Sequence, residues 1–143
     1  MVLISHRGNV FGAVPEMENN PQYILSAASE KYFVEIDAWK IKDSWWLGHD
    51  APQYEIKESF LKNKRFLVHA KNLEALKSLM NLEIHCFWHQ EDHYTITNRG
   101  VIIAYPGYAC GNNVICMKPE LLSMDVIKDA YGICSDYIGF YNE

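Results

Sequence analysis

YFVEIDAWKIKDSWWLGHD, residues 32–50, carries the reading of the fold. Its first half is a run of aromatic and β-branched residues, the composition of a strand. Glu35 and Asp37 stand two apart in it, so both carboxylates share one face. Phe33, Val34, Ile36, Ala38 and Trp39 surround them, and the opposite face is apolar too. Lys42-Asp43 reads as a turn, and SWWLG as a return strand that ends at His49-Asp50.

Further apolar runs flank this hairpin. VLISH opens the chain, and RFLVHAKN (65–72), LEIHCFWHQ (82–90), VIIAYPG (101–107), NVICMKP (113–119) and YGICSDYI (131–138) follow, giving eight strand candidates with the two above. Helical spacing lies between some of them. In NPQYILSAASEKY (20–32), Asn20 fits the cap and Pro21 the first position. KNLEALKSLM (71–80) puts Leu73, Leu76, Leu79 and Met80 on one face. KPELLSMDVIKDAY (118–131) is helical over at least its second half, and IKESFLKN (56–63) offers a short turn of helix. A second hairpin turns at Arg99-Gly100.

Strands that alternate with helices argue for parallel β/α units. Eight strands suggest a barrel, yet a (β/α)8 barrel usually takes about 250 residues. A chain of 143 residues has either lost several outer helices or forms an open, incomplete sheet. There is no repeat, low-complexity tract or interdomain linker, so residues 1–143 read as one domain.

Composition narrows the class. The chain is 49% hydrophobic, enough for a real core, and its net charge of −5 comes without a long basic run. That excludes a nucleic-acid footprint. The basic stretch KESFLKNKR reads as a solvated helix face. No apolar stretch approaches the roughly 18 residues of a membrane span, and the N-terminus lacks a secretory pattern. The expectation is a soluble, cytoplasmic protein. Cys86, Cys116 and Cys134 sit in or beside apolar runs, where a reduced, buried thiol is the ordinary state. A zinc site of Cys86, His89, Cys110 and Cys116 is disfavoured, because an offset of three in a strand points Cys86 and His89 apart.

Strand ends gather the chemistry. They carry His6-Arg7, Glu35 and Asp37 with Trp39, His49-Asp50, His69 with Lys71, His89, Tyr105 and Lys118. Two carboxylates in a crowded interior need a cation, and Mg²⁺ or Ca²⁺ suits them. Histidines act as acid and base near neutral pH, and Arg and Lys hold phosphate oxygens. This set suits displacement at a phosphodiester.

His6-Arg7-Gly8, Glu18-Asn19, Glu35-Ile36-Asp37 and Gly48-His49-Asp50, in that order, resemble the motifs of the glycerophosphodiester phosphodiesterase family, within the PI-PLC-like phosphodiesterase superfamily. The segment Gly132 to Tyr137 resembles the family's last strand. The resemblance implies a reduced (β/α)8 TIM-like barrel with several outer helices shortened or missing, and metal-dependent hydrolysis of a small phosphodiester. It implies His6 and His49 as acid and base, Arg7 as phosphate ligand, and Glu35 and Asp37 as metal ligands. Asn19 would order its loop or bond a substrate oxygen, and Lys71 would hold phosphate. Apart from the resemblance, the aromatic richness suggests a sugar or glycerol stacked on rings such as Trp39 or Trp88, which core packing explains equally well. The chain departs from the family where Glu-x-Lys is usual and His69-Ala70-Lys71 stands instead. His69 is then a nitrogen ligand, which favours Mn²⁺, or a core residue, or the third ligand is lost. The departure also raises an alternative: a phosphate-binding module with weak or no turnover. Missing helices would leave apolar sheet exposed, which favours a partner such as a second copy of the chain.

Overall fold

The computed structural model describes residues 1–141; the last two residues of the expected domain, 142–143, lie outside the described ones. Ten strands form one mixed sheet. They are β1 (Val2–His6), β2 (Phe33–Ile41), β3 (Ser44–Leu47), β4 (Tyr54–Ile56), β5 (Phe66–Ala70), β6 (Cys86–Phe87), β7 (Tyr94–Ile96), β8 (Ile102–Ala104), β9 (Val114–Met117) and β10 (Gly132–Ser135). The α-helices are α1 (Pro21–Glu30), α2 (Glu58–Leu61), α3 (Leu73–Asn81) and α4 (Met124–Ile127), of which α2 and α4 are single turns.

This overturns the (β/α)8 expectation. The sheet is a curled half-barrel of mixed direction, with few helices. Strands β6, β5, β2, β1, β10, β9 and β8 run parallel in that spatial order, while β3, β4 and β7 are antiparallel additions. The physical reason is connection length. The chain from β6 to β9 spans only 26 residues between Phe87 and Val114, and most of them form the β7–β8 hairpin and loops. Nothing remains for crossover helices there.

Two layers of core explain why β2 is apolar on both faces. Val34, Ile36 and Ala38 pack outward with Val68 of β5 against Ile24 and Ala27 of α1 and Ala75 and Leu79 of α3. On the concave side, Ile4, Leu67, Phe87, Ile103, Ile115, Met117 and Cys134 form a second cluster. Glu35 and Asp37 have the concave parity. Burying both faces of a strand this way contributes about 25 cal/mol per Å2 of apolar area removed from water.

The local signals act as expected at several points. The Asn20 side chain accepts from the backbone N–H of Gln22 and Tyr23 and caps α1; Asn72, to which the sequence reading gives no capping role, caps α3 through Ala75. Both hairpins form, with Lys42 and Gly100 at positive φ in their turns. The apolar face of α3 differs: Ala75 and Leu79 are buried, but Leu73 and Met80 are exposed. The buried stripe is centred on Ala75 and Leu79, four apart on one face, and Leu73 and Met80 lie beyond its edge at the helical spacing. Cys116 is joined to Cys110 as a disulfide, against the expectation of a reduced thiol at Cys116, whereas Cys86 and Cys134 are free and buried. Among the described residues, no helix is long and apolar enough to cross a membrane.

Candidate functional site

Strand register builds the site. His6 stands opposite Glu35 across β1–β2, and Asp37 stands opposite His69 across β2–β5. Ser5 pairs with Ser135 across β1–β10, so His6 and Asp136 come next along the same ladder. Five chemically active residues from four separate segments of the chain therefore meet on the concave side by backbone pairing alone. They lie at the C-terminal ends of the parallel strands, where ligands bind in parallel sheets.

At the centre is a buried triad. Ligating atoms of Glu35, Asp37 and His69 all lie within 4.8 Å of one another. His69 Nε2–H donates to the carbonyl of His89 at 3.1 Å, which turns Nδ1 toward the carboxylates, 3.1 Å from Asp37 Oδ1 and 3.9 Å from Glu35 Oε1. Phe87 stacks on the His69 ring at 4.7 Å and fixes its plane. Glu35 Oε2 and Asp37 Oδ1 are buried without a hydrogen-bond partner among the described residues. Orphaned acceptors of this kind are costly unless a cation or proton meets them.

Charge divides unequally between the two carboxyls. Burial, followed by the nearby Asp37 charge, pushes Glu35 well above the ordinary range. Burial would raise Asp37 also, but His69, Arg7 and Asn19 outweigh it and hold Asp37 well below that range. Arg7 Nε lies 3.0 Å from Asp37 Oδ2, an ion pair without hydrogen-bond alignment, and Lys71 Nζ lies 3.9 Å from Oδ1. Asn19 clasps Asp37 twice, donating from Nδ2 to Oδ2 at 2.8 Å and accepting from the Asp37 backbone N–H at 2.9 Å. Arg7 and Asn19 both adopt the left-handed backbone region (φ 56° and 62°), as does Lys118 (φ 47°). Such conformations cost of order 1–3 kcal/mol each and cluster at functional sites.

A cavity of about 550 Å3 opens over the triad. Its walls include His6, Arg7, His49, Lys71, Trp39 and Tyr105. His6 Nδ1–H donates to Asp136 Oδ1 at 2.6 Å, leaving Nε2 to face the cavity and Glu35, 3.9 Å away. Asp136 also accepts from Asn9 at 2.8 Å and pairs with Lys118 at 3.3 Å. Burial would raise its carboxyl; His6, Asn9 and Lys118 outweigh that and keep it ionised. The result is a histidine oriented by a carboxylate, an arrangement suited to accepting a proton.

His49 reaches the same cavity by a different route. It lies on no parallel strand. β2 runs past the triad, β3 returns beside it with Leu47 opposite Ala38, and Gly48 N–H donates to the Asp37 carbonyl. Gly48 sits at φ 154°, and a Cβ there would come within 2.0 Å of the Ala51 carbonyl oxygen. Only glycine allows this tight exit from the strand. Trp39 Nε1–H donates to the Gly48 carbonyl at 2.7 Å and braces the turn. His49 is exposed, and its Nδ1–H donates to Asp50 Oδ1 at 2.8 Å.

Glu35, Asp37 and His69 thus form the triad, His6, Arg7, His49, Lys71 and Trp39 line the cavity above it, and Asn19 lies beneath as a clasp on Asp37 without lining that cavity. Asp136 was missed as a site residue. Its signal was present, since it follows a buried strand whose end neighbours His6, but that neighbour relation exists only in three dimensions. Lys118, which the sequence does place at a strand end, follows β9 and pairs with Asp136.

No protein-family model, curated protein or solved structure matches the chain. The likeness to glycerophosphodiester phosphodiesterases therefore stands on the sequence motifs alone.

Proposed function

We propose that the protein is a compact, metal-dependent phosphodiesterase that cleaves a small glycerophosphodiester-like substrate. The observation that carries the reading is the His69 ring: with Nε2 committed to a backbone carbonyl, Nδ1 converges with Glu35 and Asp37 under a cavity lined also by His6, His49, Arg7 and Lys71. A backbone carbonyl behind a histidine is the usual support of a metal-ligating imidazole. Two oxygen donors and one nitrogen suit Mg²⁺ or Ca²⁺, and Mn²⁺ more readily. Such an ion would neutralise charge developing on phosphoryl oxygens.

The chain's own groups supply the rest. Arg7 and Lys71 hold phosphate oxygens. His6, oriented by Asp136, takes the proton of the attacking hydroxyl. His49, held by Asp50, returns a proton to the departing oxygen. Where the nucleophile is a hydroxyl of the substrate itself, a cyclic phosphate forms and water then opens it.

Turnover of a glycerophosphodiester, with and without EDTA, tests this reading. Activity restored by Mg²⁺, Ca²⁺ or Mn²⁺ and lost in His6→Ala supports it, and activity fully retained in EDTA rejects the metal. A second reading, a phosphate-binding module without turnover, draws on one specific observation. Arg7 Nε and Lys71 Nζ lie 3.0 and 3.9 Å from Asp37 oxygens, so the protein's own cations can compensate that carboxylate. Phosphate binding that is indifferent to metal, with no turnover, would favour that reading.

A further inference from the structure

A second cavity, of about 320 Å3, lies between the loop at 15–19 and the loop at 49–53. Arg7, His49 and Asp50 line both this space and the larger one. A phosphodiester has one charged centre and two alcohol arms. A guanidinium and a histidine on a common wall fit the centre, and a space on either side fits the arms.

The two spaces differ in chemistry. His6 and Glu35 line the larger one only. In the smaller, Asn19 spends its amide on Asp37. Glu18 accepts one bond on each oxygen, from Arg7 and Asn9, and keeps lone pairs on both. Asp50 bonds His49 through Oδ1, and Oδ2 makes no bond among the described residues. Gln53 is exposed at the mouth, and Pro15, Ala51 and Pro52 complete the wall. The unspent hydrogen-bonding capacity is mainly that of acceptors.

We propose that the smaller cavity receives the departing alcohol of the diester and selects a small arm that carries hydrogen-bond donors, hydroxyl or ammonium. This deepens, and rests on, the phosphodiesterase reading. The attacking hydroxyl lies in the larger cavity and gives its proton to His6 Nε2 as its oxygen bonds to phosphorus. The bond from phosphorus to the departing oxygen breaks, and that oxygen takes a proton from the His49 imidazolium held by Asp50. The position of His49 on the shared wall suits it to this second transfer.

The test uses three diesters of glycerol phosphate, whose second arm is methyl, 2-aminoethyl or glycerol. The wild type should turn over the aminoethyl or glycerol diester with kcat/KM at least tenfold above the methyl diester. Gln53→Trp, which fills the space from an exposed position, should reduce that preference at least tenfold. Glu18→Gln should weaken the aminoethyl diester more than the glycerol diester if the arm is an ammonium, and both alike if it is a hydroxyl. Equal turnover of all three diesters by the wild type, or an unaltered preference in Gln53→Trp, overturns the proposal. If no diester is turned over, the phosphodiesterase reading fails, and calorimetric binding decides the cavity assignment. At least tenfold tighter binding of a donor-bearing diester, abolished by Gln53→Trp, would still support it, and equal binding of all three would overturn it.

Discussion

His69 lies directly across the β2–β5 ladder from Asp37, with Nδ1 3.1 Å from the Asp37 carboxylate and Nε2 bound to a backbone carbonyl behind it. An imidazole so fixed has one nitrogen left to offer. It stands where the glycerophosphodiester phosphodiesterase motif has a carboxylate, and it leaves the site one negative charge short. His69→Glu should therefore raise Mg²⁺ affinity, while Mn²⁺, which accepts imidazole readily, should gain less. His69→Ala should lower affinity for both by at least tenfold. Titration calorimetry of the three proteins checks this; unchanged Mg²⁺ binding in His69→Glu would place His69 outside the ligand set.

Asp136 holds His6 through Nδ1, so its removal should act through His6. His6→Ala should lower turnover by roughly 10²–10⁴, the range for losing a general acid or base. Asp136→Asn should lower it by less. The double variant should cost less than the product of the two, because the pair acts as a unit. Steady-state kinetics on a cleaved diester measures all three, and multiplicative losses would separate the two residues.

The triad carboxyls should respond unequally to neutralisation. From sequence, Asp37→Asn looks mild for folding, since it relieves repulsion from Glu35. The structure alters that expectation, because Asp37 anchors Arg7, Lys71, His69 and Asn19. Breaking a buried ion pair from one side costs about 3–5 kcal/mol. Glu35 is pushed well above the ordinary range by burial and by Asp37, so Glu35→Gln removes little charge and should change stability by less than about 1 kcal/mol. Urea unfolding in EDTA compares them, and equal losses would contradict this charge assignment.

His85 supplies a stability effect away from the site. Burial, aided by the Arg99 charge, lowers it to about 4, and its Nε2 bonds Thr97 Oγ1 at 2.9 Å. Its unfolded value is about 6.5. Between those values the unfolded chain binds more protons, so this stabilisation is complete above about pH 6.5 and declines as pH falls toward 4. Glu35 is shifted the other way and opposes it in the absolute curve, so the comparison with His85→Asn carries the test. The Tm of wild type minus that of His85→Asn should be larger at pH 7 than at pH 4.5, at roughly 2–4 °C per kcal/mol for a domain of this size. A difference that does not vary with pH would mean that His85 is solvated.

Much of the site was legible because strand parity is local. Two residues apart means one face, which placed Glu35 with Asp37 and His69 with Lys71. The cap at Asn20 and the turn at Lys42 were legible for the same reason. What was not legible depends on pairing between distant segments. The partnership of Asp136 with His6 spans 130 positions. The return strand to His49 was legible as a hairpin, but how far β2 overshoots its parallel neighbours, which brings His49 to the cavity, was not. The absence of outer helices from β6 to β9 was hinted at by chain length, but the motifs resemble a family whose barrel is complete, and that resemblance favoured the wrong architecture.

The most direct test of the central claim is anomalous scattering at the manganese edge from crystals grown with Mn²⁺. The account predicts one strong peak bonded to Glu35, Asp37 and His69 Nδ1, absent from crystals of Glu35→Gln. A triad that stays closed on Arg7 and Lys71, with no peak or with manganese only elsewhere, would contradict it.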